Sequence, residues 1–153
     1  MLTFLDLDAW KESRTLYRAV YKAVEQLPPE EMYGLTSQLK RAAVSISANI
    51  AEGQGRGTRK DYIHFLYNAR GSAYEVESHL ITCADLQFMD RNTLVILYKQ
   101  TVKVIRLINS LISSLKRKTQ SSVQENKYVY GKHEELVTEE DLVEWEMCIT
   151  GKP

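Results

Sequence analysis

The sequence is poor in the residues that cross-link or interrupt small folds. Its 153 residues include two cysteines, three prolines and seven glycines. Two cysteines are too few for a disulfide-stabilised secreted domain or a four-cysteine zinc site. No apolar run approaches the ~18 residues of a membrane span, and the first residues lack a basic stretch followed by an apolar core. We therefore expect a cytoplasmic protein with no membrane partner.

The net charge is zero, but the charges are unevenly distributed. Twenty basic side chains balance twenty acidic ones. Residues 58–118 contain ten basic and five acidic residues, whereas residues 119–153 contain three basic and eight acidic ones. A mildly basic body is thus followed by an acidic tail. This asymmetry is typical of proteins that bind a nucleic acid or another polyanion, although it also fits ordinary solvated helix faces.

Four segments repeat apolar residues at alternating spacings of three and four, which predicts four amphipathic helices. Short connections favour antiparallel neighbours. We therefore expect an all-α protein with an antiparallel up-down four-helix bundle over residues 1–118, and an acidic C-terminal extension with a short helix over residues 119–153. The apolar seams run from Ala9 to Leu27, from Leu35 to Gly53, from Tyr62 to Cys83 and from Leu94 to Leu115.

The predicted helix ends coincide with capping and breaking residues. Pro28 and Pro29 stop the first helix because proline lacks the amide donor and restricts the residue before it. Gly53 suits a left-handed C-cap of the second helix. The predicted N-caps are Asp8 for the first helix, Thr58 with Asp61 as a capping box for the third, and Asp90 or Asn92 for the fourth.

The first and fourth helices each carry a second apolar stripe, with a spacing of seven residues. A face this wide is normal in the core of a short bundle, and it also fits a subunit interface. Both interpretations stay open from the sequence. The residues predicted for an oligomer interface are Trp10, Tyr17, Val24, Tyr98, Ile105 and Ile112.

The acidic tail contains one amphipathic segment. Leu142, Trp145 and Ile149 fall on one side of a short helix whose first residues are acidic, which suits the helix dipole. We expect this segment to dock on the body, on a neighbouring subunit or on a partner protein. The alternative is a loosely attached tail.

The sequence has no constellation typical of catalysis or metal binding. Glu75 and His79 can share a helix face, but one such pair does not complete a metal site, and no Glu-x-x-His motif occurs. Cys83 lies on an apolar seam and is expected to pack rather than react. Neither a serine elbow nor a Walker loop is present. We expect no enzyme activity, no metal and no cofactor.

Two basic clusters are the candidates for contact with nucleic acid. One is the glycine-rich loop before the third helix, which fits a phosphate site and also fits a tight interhelical turn. The other lies on the fourth helix, where basic side chains also favour the helix dipole near its end. The predicted nucleic-acid-binding residues are Arg56, Arg59, Lys60, Lys103, Arg106, Lys116, Arg117 and Lys118.

Two motifs carry a resemblance to a known family. The first is Ser45-Ile46-Ser47-Ala48-Asn49-Ile50-Ala51-Glu52-Gly53, and the second is Gly71-Ser72-Ala73-Tyr74-Glu75. The chain resembles, over roughly residues 8–117, the small bacterial four-helix-bundle family first described from intervening sequences in large-subunit ribosomal RNA genes. The resemblance implies a ring-shaped homopentamer. It also implies similarity to the accessory protein of diversity-generating retroelements, a basic bundle that binds nucleic acid and a reverse transcriptase.

The family pattern also implies roles for several residues. Asn49, Glu52 and Glu75 are expected to form a buried polar lock between the second and third helices, in preference to a catalytic site. Glu52 and Glu75 are also candidates for ion pairs with Arg56, Arg59 or Arg70. Gly71 and Ser72 are small residues that permit close helix approach, at a cost in helix propensity. The acidic tail departs from the family pattern, and it is able to lie across the basic body and weaken polyanion binding.

Two hypotheses for function follow. The first is a non-enzymatic oligomeric adaptor that binds RNA or DNA through a basic bundle surface and serves a partner protein such as a reverse transcriptase. The second is a protein–protein interaction module with no role in nucleic-acid binding, in which the Trp145 segment recruits the partner. Binding that weakens steeply with salt distinguishes the first from the second.

Overall fold

The computed structural model describes residues 3–120, 143–145 and 147 of the chain. Four helices pack against one another in an antiparallel up-down bundle, as the apolar seams predict. Short 3-10 turns precede and follow the first helix and introduce the second. The helices are α1 (Asp8–Ala23), α2 (Leu35–Gln54), α3 (Arg59–Asp85) and α4 (Arg91–Gln120), and the 3-10 turns are Phe4–Asp6, Val24–Gln26 and Pro29–Tyr33.

The core lies where the four predicted seams meet. Each helix contributes aliphatic side chains that are removed from solvent, and burying one such side chain stabilises the fold by about 1.5–3 kcal/mol. Among the described helices, none combines the length and hydropathy needed to cross a membrane. The largest fully buried side chains are Leu16 and Val20 of α1, Leu39, Ile46 and Ile50 of α2, Leu66, Val76 and Leu80 of α3, and Leu97, Thr101, Val104 and Ile108 of α4.

The N-caps of α3 and α4 are confirmed. The Thr58 hydroxyl accepts a hydrogen bond from the Asp61 amide at 3.1 Å. Asp90, rather than Asn92, accepts the bond from the Thr93 amide at 2.9 Å, and hydrogen bonds from Thr93 lower the pKa of the Asp90 carboxyl. These caps satisfy amide donors that have no partner inside the helix.

The predicted cap of α1 is wrong. Asp8 is the first residue of α1, and the preceding Leu7 is the cap, with no side-chain hydrogen bond. The side-chain cap lies one turn earlier, where Thr3 accepts from the Leu5 amide within the 3-10 turn that precedes α1. The other end of α1 comes earlier than predicted. The helix ends at Ala23, a 3-10 turn follows over Val24–Gln26, and Leu27 is extended before Pro28.

Gly53 has a different role from the one predicted. It lies inside α2, and the C-cap is Gly55, whose φ of −73° is right-handed. A Cβ atom at position 53 would lie 2.7 Å from the Cβ of Phe65 and 3.0 Å from Cδ2 of Tyr62. Gly53 therefore permits the close approach of α2 and α3.

Gly71 does not permit such an approach, contrary to the expectation from the family pattern. It lies on the exposed surface of α3, and a Cβ atom there would meet nothing within 4 Å. Its neighbour Ser72 does face α2, and its hydroxyl donates to Oγ of Ser45 at 3.0 Å. The glycine is thus a break in the surface of α3 rather than a packing site.

Most of the second apolar stripe belongs to the core. Val24, Tyr98, Ile105 and Ile112 are buried within the single chain, which leaves them little surface for a neighbouring subunit. The structure therefore favours the wide-core interpretation for these four residues. Trp10 and Tyr17 are only partly buried against the core, and for them a subunit interface stays a prediction.

Candidate nucleic-acid interface

The two predicted basic clusters lie at the same end of the bundle. Arg70 of α3 donates to Oδ1 of Asn109 of α4 at 3.0 Å, and Lys116 Nζ lies 5.4 Å from the ring centroid of Tyr67. The first turns of α3 therefore lie beside the last turns of α4. We call this region the basic end and define it by Arg56, Arg59, Lys60, Arg70, Lys116 and Arg117.

The loop between α2 and α3 contributes cationic side chains to the basic end. Arg56 forms an ion pair with Glu52, and its guanidinium lies 4.6 Å from the ring centroid of Phe65. Arg59 and Lys60 occupy the exposed first turn of α3. The charge of Arg56 is thus partly compensated by Glu52, and Lys60 adds an exposed cation at the start of α3.

The backbone at the start of α3 is already occupied by its own cap. The Thr58 hydroxyl donates to Oδ2 of Asp61 at 2.6 Å, which fixes a carboxylate at the positive end of the helix dipole. A phosphate at that position would meet a negative charge. The geometry therefore favours the interhelical-turn interpretation for the loop backbone, and leaves anion contact to the side chains.

The two remaining predicted contacts, Lys103 and Arg106, lie nearer the middle of α4. Lys103 Nζ forms an ion pair with Oε1 of Glu12 on α1 at 2.8 Å. Arg106 is half-buried. Lys103 is therefore paired with α1 and not part of the basic end, whereas Arg106 lies one turn before Asn109, the partner of Arg70, and its contact with nucleic acid stays a prediction. Lys118 lies in the last turns of α4, and its side chain is outside the described residues.

The polar contact between α2 and α3 is built from small neutral side chains. Asn49 Nδ2 donates to the carbonyl of Ser45 at 2.8 Å and to its Oγ at 3.0 Å, and the Ser45 hydroxyl accepts from Ser72 across the interface. Asn49 and Ser72 are therefore linked through Ser45. Sequence reasoning missed Ser45 as the shared partner, although it opens the first family motif.

The two carboxylates predicted for this lock do not join it. Glu52 pairs with Arg56 within α2 and the following loop, and Glu75 Oε1 lies 3.6 Å from Nε2 of His79 within α3. Both glutamates are exposed. Their inclusion in a buried lock between the helices was wrong, because both point to the surface, where a charge keeps its hydration.

The tail segment contacts the body through Trp145. This side chain is 4% exposed and stacks on Tyr98 of α4, with the ring centroids 4.5 Å apart. Its neighbours Val143 and Met147 are about half exposed. Leu142 and Ile149, which the sequence places on the same side as Trp145, lie outside the described residues.

Cys83 has the environment of a packed thiol. It is fully buried, and burial raises the pKa of the thiol to about 11, with a smaller contribution from the charge of Glu31. Thiolate is the reactive form of cysteine, so such a group is a poor nucleophile. Within the described parts of the chain, no three His, Cys, Asp or Glu side chains come together as a metal-binding group.

Fold and surface together define a small antiparallel four-helix bundle with one basic end. The chain belongs to the 23S rRNA-intervening sequence protein family, whose sequence model matches residues 5–110. The family resemblance carried by the two motifs is thereby confirmed. The region after residue 110, which includes the tail, lies outside this match.

The fold is also similar to a solved structure. It is the crystal structure of a protein with unknown function from the S23 ribosomal protein family of Bacteroides thetaiotaomicron VPI-5482. The two chains are 22% identical, the alignment covers 68% of this chain and 97% of that chain, and the TM-score is 0.62. At this identity the likeness shows the fold alone. No curated protein matches the chain.

Proposed function

We propose that the chain is a non-enzymatic oligomeric adaptor that binds RNA or DNA through its basic end and serves a partner protein. The observation that carries this proposal is the convergence of two basic segments, distant in sequence, at one end of the bundle. Phosphate contacts of this kind position a protein on a nucleic acid without reading its sequence. Little sequence preference is therefore expected.

The resemblance stated above supplies the kind of partner. The accessory protein of diversity-generating retroelements is a basic pentameric bundle that works with a reverse transcriptase, and we extend that role to this chain. Trp10 and Tyr17 are the stripe residues with surface left for contacts between copies. Mass photometry of the full chain tests the oligomeric state, and a monomer at micromolar concentration would contradict that part of the proposal.

The nucleic-acid part is tested with labelled RNA and DNA of about 20 nucleotides, using fluorescence anisotropy of the full chain over a salt series. A double variant, Lys116→Gln with Arg117→Gln, removes two cations of the basic end. We expect weaker binding and a shallower salt slope, by about 0.7 per lost contact on a single strand. Lys103→Gln is the matched control because Lys103 is already paired with Glu12.

Two results would contradict the proposal. One is that nucleic acid binds at low salt neither to the full chain nor to the Trp145→Ala variant, in which the acidic tail loses its buried tryptophan. The other is an equal loss of affinity in Lys103→Gln and in the double variant, which would indicate a general charge effect instead of a localised site.

The second candidate function is a protein–protein interaction module, and the opposite end of the bundle favours it. Exposed apolar side chains gather there, and an open pocket of about 440 Å³ lies beside Ile96 between α1 and α4. Exposed apolar patches mark interaction sites. The residues are Met32 and Tyr33 before α2, Leu86 after α3 and Ile96 in α4. This alternative would be favoured if the Lys116→Gln, Arg117→Gln variant still captured a partner protein as the unaltered chain does, and if the Ile96→Asp variant no longer captured it.

A further inference from the structure

Two cations lie against one aromatic ring at the basic end. The guanidinium of Arg70 lies 4.9 Å and the ammonium of Lys116 lies 5.4 Å from the ring centroid of Tyr67. Among the described residues, no ion pair involves either cation, and Arg70 bonds to the neutral amide of Asn109. An anion bound within reach of both cations would be stabilised. A phosphate fits this requirement.

The surface of α3 next to this cation pair is aromatic and open. Tyr74 follows Tyr67 by seven residues, which is two helical turns on the same face, and it is 52% exposed. Gly71 lies between the two tyrosines and leaves empty space over the helix. Seven residues correspond to about 10.5 Å along the axis, and successive bases in a strand are about 3.4 Å apart. The distance along α3 from the position of Tyr67 to that of Tyr74 therefore corresponds to about three base spacings.

We propose that this face of α3 binds single-stranded nucleic acid, with bases stacking on the exposed ring of Tyr74 beside the gap at Gly71, and with a phosphate held by Arg70 and Lys116. The inference rests on the proposed function and adds the substrate class to it. Aromatic side chains on a convex helix stack with unpaired bases, whereas the bases of a duplex are already stacked on each other. The preference for single strands follows from this difference.

The experiment compares two probes on the full chain by fluorescence anisotropy: an unstructured oligouridine of about 20 nucleotides and a duplex of similar length. Tyr74→Ala removes one stacking ring, and Gly71→Leu fills the gap without touching the core. We expect each to weaken oligouridine binding about tenfold with an unchanged salt slope. Arg70→Gln should reduce the slope instead, because it removes a phosphate contact.

Two matched controls separate the site from general effects. Ser78→Leu places the same side chain on the same face of α3, one heptad beyond Gly71, and should leave binding unchanged. Tyr33→Ala removes a tyrosine that is 91% exposed at the opposite end and should also leave it unchanged. Gly71→Leu replaces glycine in a helix with a better helix former, so the fold should be preserved.

The outcomes distinguish this inference from the proposed function. Equal affinity for duplex and oligouridine, or binding that is unaffected by Tyr74→Ala and Gly71→Leu, overturns the inference while the basic end remains a binding surface. The absence of binding to any probe overturns both. If Gly71→Leu changes the mass of the oligomer in mass photometry and leaves oligouridine binding intact, the face is a contact between copies and the inference is wrong.

Discussion

The indole of Trp145 stacks on the ring of Tyr98, with centroids 4.5 Å apart and planes inclined by 17°. Tyr98 lies in the third turn of α4. Trp145 of the tail therefore contacts α4 near its N-terminal end, although the tail follows the C-terminal end of that helix. Aromatic pairs of this kind contribute about 0.5–1.5 kcal/mol beyond the burial of their area. Among the described residues of the tail, Trp145 is therefore the one that is buried against the bundle.

The first prediction concerns the anchor itself. Tyr98→Ala should release Trp145 into solvent, because the stacked ring is its aromatic partner among the described residues. The measurement is tryptophan emission in a Trp10→Phe background, where Trp145 is the remaining tryptophan. We expect a red shift and stronger quenching by iodide. Tyr33→Ala, at an exposed site far from the contact, is the control, and an emission spectrum unchanged by Tyr98→Ala would refute the contact.

The second prediction links the anchor to nucleic-acid binding. Residues 119–153 carry eight acidic and three basic side chains, and the Trp145 contact holds part of this segment against the bundle. Trp145→Ala should therefore increase affinity for RNA at low salt, with the largest gain where screening is weakest. Affinity across a salt series checks this, with Met147→Ala, an exposed neighbour, as the control. Equal affinity of the two variants would show that the anchor has no regulatory effect.

The periodic features of the sequence predicted the fold well. The spacings of three and four identified all four helices and their core seams because these positions need only an apolar side chain of suitable size. The second stripe was ambiguous for a physical reason: a buried Tyr98 and an interface Tyr98 have the same spacing. Tyr98 is buried in the core cluster, and Trp145, which is distant in sequence, stacks on its ring.

The candidate site was predicted in part. The sequence identified two basic clusters, but their meeting at one end depends on the register of α3 against α4. That register is seen in the hydrogen bond between Arg70 and Asn109. From the sequence, Arg70 is a candidate only as an ion-pair partner of Glu52 or Glu75, and Tyr67 is not a candidate, although their spacing of three on one helix face was a usable signal. Glu52 was assigned to a buried lock because a motif marks a position without stating whether the side chain points inward.

The third prediction compares two glycines that the sequence alone does not distinguish. Gly53→Ala should destabilise the bundle by about 1–3 kcal/mol, since the new Cβ would lie 2.7 Å from the Cβ of Phe65. Gly71→Ala should stabilise it by about 0.5–1 kcal/mol, because alanine is the better helix former and nothing lies within 4 Å. Urea unfolding at an unchanged m-value measures both. Effects of the same sign would contradict the packing of α2 against α3.

The fourth prediction separates the neutral hydrogen-bond chain from the surface carboxylates. Asn49→Ala removes two hydrogen bonds to Ser45 and should cost about 1–2 kcal/mol of unfolding free energy. Glu52→Gln weakens an exposed ion pair between α2 and the loop that follows it and should change stability by less than about 0.5 kcal/mol. Chemical denaturation of both variants is the measurement. A larger loss of stability in Glu52→Gln than in Asn49→Ala would mean that Glu52 does belong to the polar lock between α2 and α3.

The fifth prediction is a loss of stability at alkaline pH that depends on Cys83. Burial raises the pKa of this thiol from 9.0 to about 11, so above pH 9 the unfolded chain ionises first and binds fewer protons than the folded chain. The free energy of unfolding should therefore fall as pH rises from 9 through 11. Cys83→Ala should lower stability at neutral pH and flatten this decline. The half-buried Tyr62, whose pKa is also raised, contributes a decline common to both proteins, so the difference between their pH profiles isolates Cys83. Parallel profiles would mean that the thiol ionises as readily in the folded chain as in the unfolded one.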